Sequence, residues 1–132
     1  MINQERINLL MEQADDDLGA AEALQKAGYY GHALFWAHLV LEKMCKALWI
    51  KNNNSVEYPR THSLIKLFRE SKIELSIEKT EFYAEMNQFQ ITGRYDDTLQ
   101  KIEFSVSEDT CQKFMEILKT EKQWIKTQIL EK

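Results

Sequence analysis

A chain of 132 residues is long enough for one domain with a buried core, and 1–132 reads as a single unit. Hydrophobic residues make up 44% and charged residues 29%, the balance of a folded chain, which excludes extended disorder. Lys+Arg number 17 against 21 Asp+Glu, a net charge of -4, so there is neither a basic nucleic-acid arm nor a polybasic membrane patch.

With Gly 4 and Pro 1, chain breakers are scarce, which favours long helices over a many-stranded sheet. The opening MINQERINLL carries charge where a secretory signal needs an apolar core, and no run approaches a membrane span, so a cytoplasmic location is expected. In chain order, Ile7, Leu10, Met11, Ala14, Leu18 and Ala21 predict a first helix over 3–27, stopped by Gly28. Asp15 and Asp16 belong to a solvated face. Asp17 sits at the edge of the apolar stripe and needs a partner, which a lysine of the next helix, Lys43, is expected to supply.

That next helix, 31–51 (GHALFWAHLVLEKMCKALWIK), is the most apolar run in the chain. Ala33, Leu34, Ala37, Val40, Leu41, Met44, Cys45, Ala47 and Leu48 help fill about half of its circumference, which makes it the central helix of a bundle. The short link at Gly28 predicts an antiparallel hairpin with the first helix. The remaining face mixes Phe35, Leu39 and Trp49 with His38, Glu42, Lys43 and Lys46, a pattern that suggests a second contact, within the fold or with a partner. Asn52-Asn53-Asn54-Ser55 is a turn, and Pro59 biases Tyr58 towards an extended conformation. Thr61 is the expected cap of a short third helix carrying Leu64, Ile65, Leu67 and Phe68. A fourth helix is expected over 77–92, ended by Gly93. Ser105 and Glu108, at capping-box spacing, are expected to open a last helix with Cys111, Phe114, Leu118 and Ile125 inside and its Glu and Lys residues on a wet face. The fold class is therefore all-α, an up-and-down bundle of about five helices. Cys45 and Cys111 read as small buried hydrophobes.

No Glu-x-x-His pair, glycine-rich phosphate loop or nucleophile signature occurs, so neither a metal site nor a cofactor is expected. Two constellations remain. Glu42-Lys43-x-x-Lys46 reads as a helix-surface salt bridge with an extra lysine. Gly93-Arg94-Tyr95-Asp96 reads either as a helix-ending turn or as a site where Arg94 grips a phosphate while Tyr95 stacks on a base.

The ordered set Ala14-x-x-Asp17-Leu18-x-x-Ala21, Gly28-Tyr29-Tyr30-x-x-Ala33, Glu42-Lys43-x-x-Lys46-Ala47-Leu48, His62-Ser63-Leu64 and Arg94-Tyr95 resembles the HEPN domain, named for higher eukaryotes and prokaryotes and for nucleotide binding. The resemblance covers nearly the whole chain. It implies a helical bundle, a homodimer that would use Phe35, Leu39 and Trp49, and a nucleotidyltransferase-domain protein as partner. Several family members are metal-independent endoribonucleases of toxin–antitoxin and defence systems, and these carry an arginine followed, after four to six residues, by a histidine. Here Arg94 has no histidine anywhere downstream, and Asp96 replaces the usual proline. Arg60 precedes His62 by only two positions and does not supply the motif; a general base would have to come from His62 or His38.

The leading expectation is a non-catalytic module that binds a nucleotide or a nucleic-acid phosphate. Arg94 and Tyr95 would make the contact, Lys43 or Lys46 would add positive charge, and His62 would tie down the loop. The alternatives are a ribonuclease with a non-standard base and a structural homodimer that binds only protein.

Overall fold

A computed structural model describes residues 2–90 and 105–131. Among them are α1 (Ile2–Lys26), α2 (Tyr30–Asn53), α3 (Leu64–Glu70), α4 (Ile77–Met86) with a 3₁₀ turn at Asn87–Phe89, and α5 (Glu108–Leu130), and the fold is all-α.

The hairpin of α1 and α2 turns at Gly28, whose φ of 90° lies in the left-handed region that suits glycine. Its two helices share the largest interface among the described elements. Ala14, Ala21, Ala33 and Ala37 are all fully buried, and side chains this small let two helix axes come close. α2 also packs against α5, α3 and the 3₁₀ turn. The core among α3, α4, the 3₁₀ turn and α5 is rich in aromatic rings. Phe68 meets Tyr83 at 4.6 Å between ring centroids and Trp124 at 5.9 Å, while Phe114 meets Phe82 at 6.0 Å and Phe89 at 5.7 Å. Central burial of α2 follows: Leu34, Leu41, Met44, Leu48 and Ile50 are all inside. Cys45 and Cys111 are buried as well.

Three local expectations need correction. The cap of α3 is Ser63, whose Oγ accepts from Lys66 N at 3.2 Å; Thr61 instead accepts from Ser63 N at 3.1 Å, shaping the approach to the helix. The cap of α5 is Ser107, not Ser105, and its Oγ accepts from Thr110 N at 3.1 Å. Glu108 and Asp109 then fall in the first turn, where the helix dipole favours acids. Val106 and Cys111, at the positions flanking this cap, are both buried. Finally, α4 stops at Met86 instead of running to 92. The Asn87 side chain turns away to accept from Leu64 N at 3.0 Å, holding the start of α3, and the chain tightens to a 3₁₀ turn that still buries Phe89.

Candidate functional site

One face of α2 carries His38, Glu42 and Lys46 at successive helical turns, so their side chains form a row. The sequence reading placed this row on an outward face. The structure corrects that: His38 is 1% exposed and Glu42 5%. Two segments, the loop 54–63 and the turn at Asn87, bring groups to the row. His62 Nδ1 lies 2.8 Å from Glu42 Oε1, and Lys46 Nζ donates to Glu42 Oε2 at 2.9 Å. His38 Nδ1 stands 3.8 Å from Glu42 Oε1, while Lys46 also lies over the ring of Tyr58, 5.2 Å from its centroid.

Burial alone would raise the Glu42 carboxyl. The bonds from His62 and Lys46 outweigh it and hold the group below the ordinary carboxylate value, so it is ionised at neutral pH. Burial pushes the His38 imidazole down, and the Glu42 carboxylate only partly opposes this, so His38 is neutral at pH 7. The Asn87 side chain and the His62 carbonyl lie beside the His38 ring, yet its Nε2 makes no hydrogen bond among the described residues.

An ionised carboxylate can only accept, so Nδ1 of His62 must carry the proton that bonds Glu42. In the neutral ring this leaves Nε2 with its lone pair. The His62 side chain is 55% exposed, and no described residue bonds its Nε2. A buried carboxylate thus holds a surface imidazole in one tautomer, with Nε2 facing outward as a hydrogen-bond acceptor. Arg60, two residues earlier in the same loop, is exposed and makes no ion pair among the described residues.

The other expected site residues are distributed as follows. Lys43 points to α1, where its Nζ bonds Asp17 Oδ2 at 2.5 Å, whereas Lys46 bonds Glu42. Phe35 and Leu39 are half-buried, whereas Trp49 packs against the core. Arg94 and Tyr95 lie outside the described residues. Sequence reasoning did not single out Tyr58 or Asn87 for the site; neither sits in a periodic pattern, and only the folding of the loop and turn brings them in. The spacing of His38, Glu42 and Lys46 was the one available signal. A second buried carboxylate, Glu121, was read as part of the wet face of α5 but is only 7% exposed. Lys79 Nζ donates to both its oxygens, at 2.9 and 2.8 Å, and Tyr83 Oη donates at 2.7 Å.

No helix among the described residues is long and apolar enough to cross a membrane. No curated protein and no solved structure matches the chain. The model of the HEPN domain matches residues 7–127, nearly the full length, and the chain therefore belongs to the HEPN family.

Proposed function

We propose that this HEPN chain is a phosphate-recognising module, taking a nucleotide or a nucleic-acid phosphate and acting with a nucleotidyltransferase-type partner. The observation that supports it is the surface imidazole of His62, held by buried Glu42, with Lys46 packed beside it and Arg60 exposed in the same loop. The Arg60 guanidinium is a donor suited to a phosphate, and the bond from His62 to Glu42 holds the loop that carries it. Arg94 and Tyr95, outside the described residues, stay in the proposal on their residue types alone, an arginine for a phosphate and a ring for a base. Lys43 is engaged by Asp17, so its contribution is to the fold. The family's arginine–histidine ribonuclease pair has no counterpart, since no histidine follows Arg94.

Calorimetry at low salt with nucleotides and short RNA tests the ligand: heat of binding that His62→Gln and Arg94→Ala weaken supports the reading, and no heat with any ligand rejects it. The homodimer is part of the same reading. Phe35 and Leu39 are its proposed face, because they are half-buried without being packed on the core. Light scattering that finds Phe35→Glu still dimeric would remove this face. Trp49→Glu is a poorer test, since it would also disturb the interior.

A further inference from the structure

Helix α3 ends in a way that its residue types do not favour. The Lys72 amide donates to the Arg69 carbonyl at 3.0 Å and the Ile73 amide to the Phe68 carbonyl at 3.1 Å, the paired bonds of a Schellman cap. Glycine is the usual residue at the turn of such a cap, because any side chain is strained in the left-handed region. Here the residue is Lys72, at φ 62°. That conformation sets the lysine at the rim of a cavity of about 330 Å³, formed by α3, the connection to α4 and the first turn of α4. The cavity floor is Phe68, fully buried against the rings of Tyr83 and Trp124. Ile65, Ile73 and Leu75 form its walls; they touch the core but are only half-buried. Arg69 stands exposed beside Lys72, and neither cation makes an ion pair among the described residues. The adjacent acid on α3, Glu70, faces Lys66 at 3.9 Å. Glu74 is the one carboxylate that lines the cavity.

We propose that this cavity binds a small organic anion with an acyl or aryl body and a single carboxylate head. The site is divided as such a ligand is divided. Half-buried apolar walls take the body out of water, while Arg69 and Lys72 at the rim meet the head where it stays near solvent. Two cations against the single carboxylate of Glu74 favour an anionic head over a cationic one. The volume lies at the small end of the range for ligand pockets, which suits one short chain or one ring system. The strained conformation of Lys72 is then kept for a contact, at a cost to the fold. This cavity lies at the C-terminal end of α3, whereas His62 precedes its N-terminus, so the inference stands apart from the phosphate reading and adds a second ligand.

The test is calorimetry on the full chain with decanoate, decanol and decyltrimethylammonium, which share a body and differ in the head, each kept below its micelle concentration. Decanoate should bind most tightly and decyltrimethylammonium most weakly, about tenfold apart, as two exposed charge contacts predict. Lys72→Gly should weaken decanoate about threefold and at the same time raise the melting temperature, because glycine relieves the left-handed strain. Arg69→Gln should weaken it by a similar factor with no change in melting, and Glu74→Gln should tighten it. Thr80→Trp, at an exposed position on the cavity wall, should block the cavity and abolish binding while the helical circular dichroism stays that of wild type. Equal affinity for the three heads, or no binding of any of them, overturns the proposal. Decanoate binding that survives Thr80→Trp overturns the site. A Lys72→Gly variant that melts higher yet binds decanoate like wild type overturns the role of the lysine. Binding to phosphatidylglycerol vesicles without binding of free decanoate overturns the ligand class in favour of a membrane surface.

Discussion

Glu42 and Glu121 are both buried carboxylates, each bonded to a lysine and to one further donor. Around Glu121 the partners are folded against the core. Lys79 reaches both oxygens and lies over the Trp124 ring, 3.9 Å from its centroid, and the donor Tyr83 is fully buried. Burial first, then the thiol of Cys45 and the carboxylate of Glu121, push the Tyr83 phenol far above its ordinary range, so it stays a donor at any accessible pH. Around Glu42 the second donor is an imidazole that faces water. The same chemical unit is therefore closed in one half of the molecule and open in the other. The closed one fastens α4 to α5; the open one fastens the loop 54–63 to α2 and leaves one ring nitrogen facing water.

The difference can be tested by removing each anchor. Glu121→Ala should be the most damaging change, about 2–3 kcal/mol in urea unfolding, because it strands the buried Tyr83 hydroxyl. The figure is held down by Lys79, which is 26% exposed and can regain water. Asp17→Ala should cost less, about 1–2 kcal/mol, since Lys43 is equally open at 26% exposure and no buried hydroxyl is left behind. A melt of Asp17→Ala equal to wild type would show that the pair contributes nothing.

Acid should then separate the two regions. The folded His38 imidazole is depressed below 6.5, so the unfolded chain takes up a proton there first, and stability falls as pH drops through that value. The Glu42 carboxyl is depressed below 4.5; its contribution is complete above that value and is lost as pH falls through the lower folded one. Chemical denaturation across pH should show both steps, with His38→Gln removing the upper and Glu42→Gln the lower. If neither variant changes the profile, the acid sensitivity lies elsewhere. The smallest stability effect belongs to His62→Gln, within about 0.5 kcal/mol, because the ring is largely solvated. A larger loss would make His62 a structural tie like Tyr83.

How much of this was legible in the sequence depended on the kind of contact. The apolar stripe of α1 placed Asp17 at its own edge, and a charge there needs a neighbour on the adjacent helix. The hairpin and the central place of α2 followed from a short link and a broad apolar arc. What the wheel could not supply was the cover over the far side of α2. His38 and Glu42 looked outward because periodicity reports one face of a helix. The loop 54–63 and the turn at Asn87, which help enclose them, have no period of their own. Glu121 was misread for the same reason, as its neighbours come from α4, a helix distant in sequence.

The loop that carries Tyr58, Arg60 and His62 is fastened where it leaves α2 and again before it enters α3. At its start Asn54 adopts a left-handed conformation, with φ 51°. The preceding amides of Asn52 and Asn53 donate to the carbonyls of Ser71 and Glu70 at the far end of α3, at 2.8 and 3.1 Å. At its close His62 is bonded to Glu42. Most of the conformational entropy of such a loop is surrendered when the protein folds. A ligand docking against it has little left to order, and contacts that would be weak on a floppy segment can keep their full enthalpy as affinity.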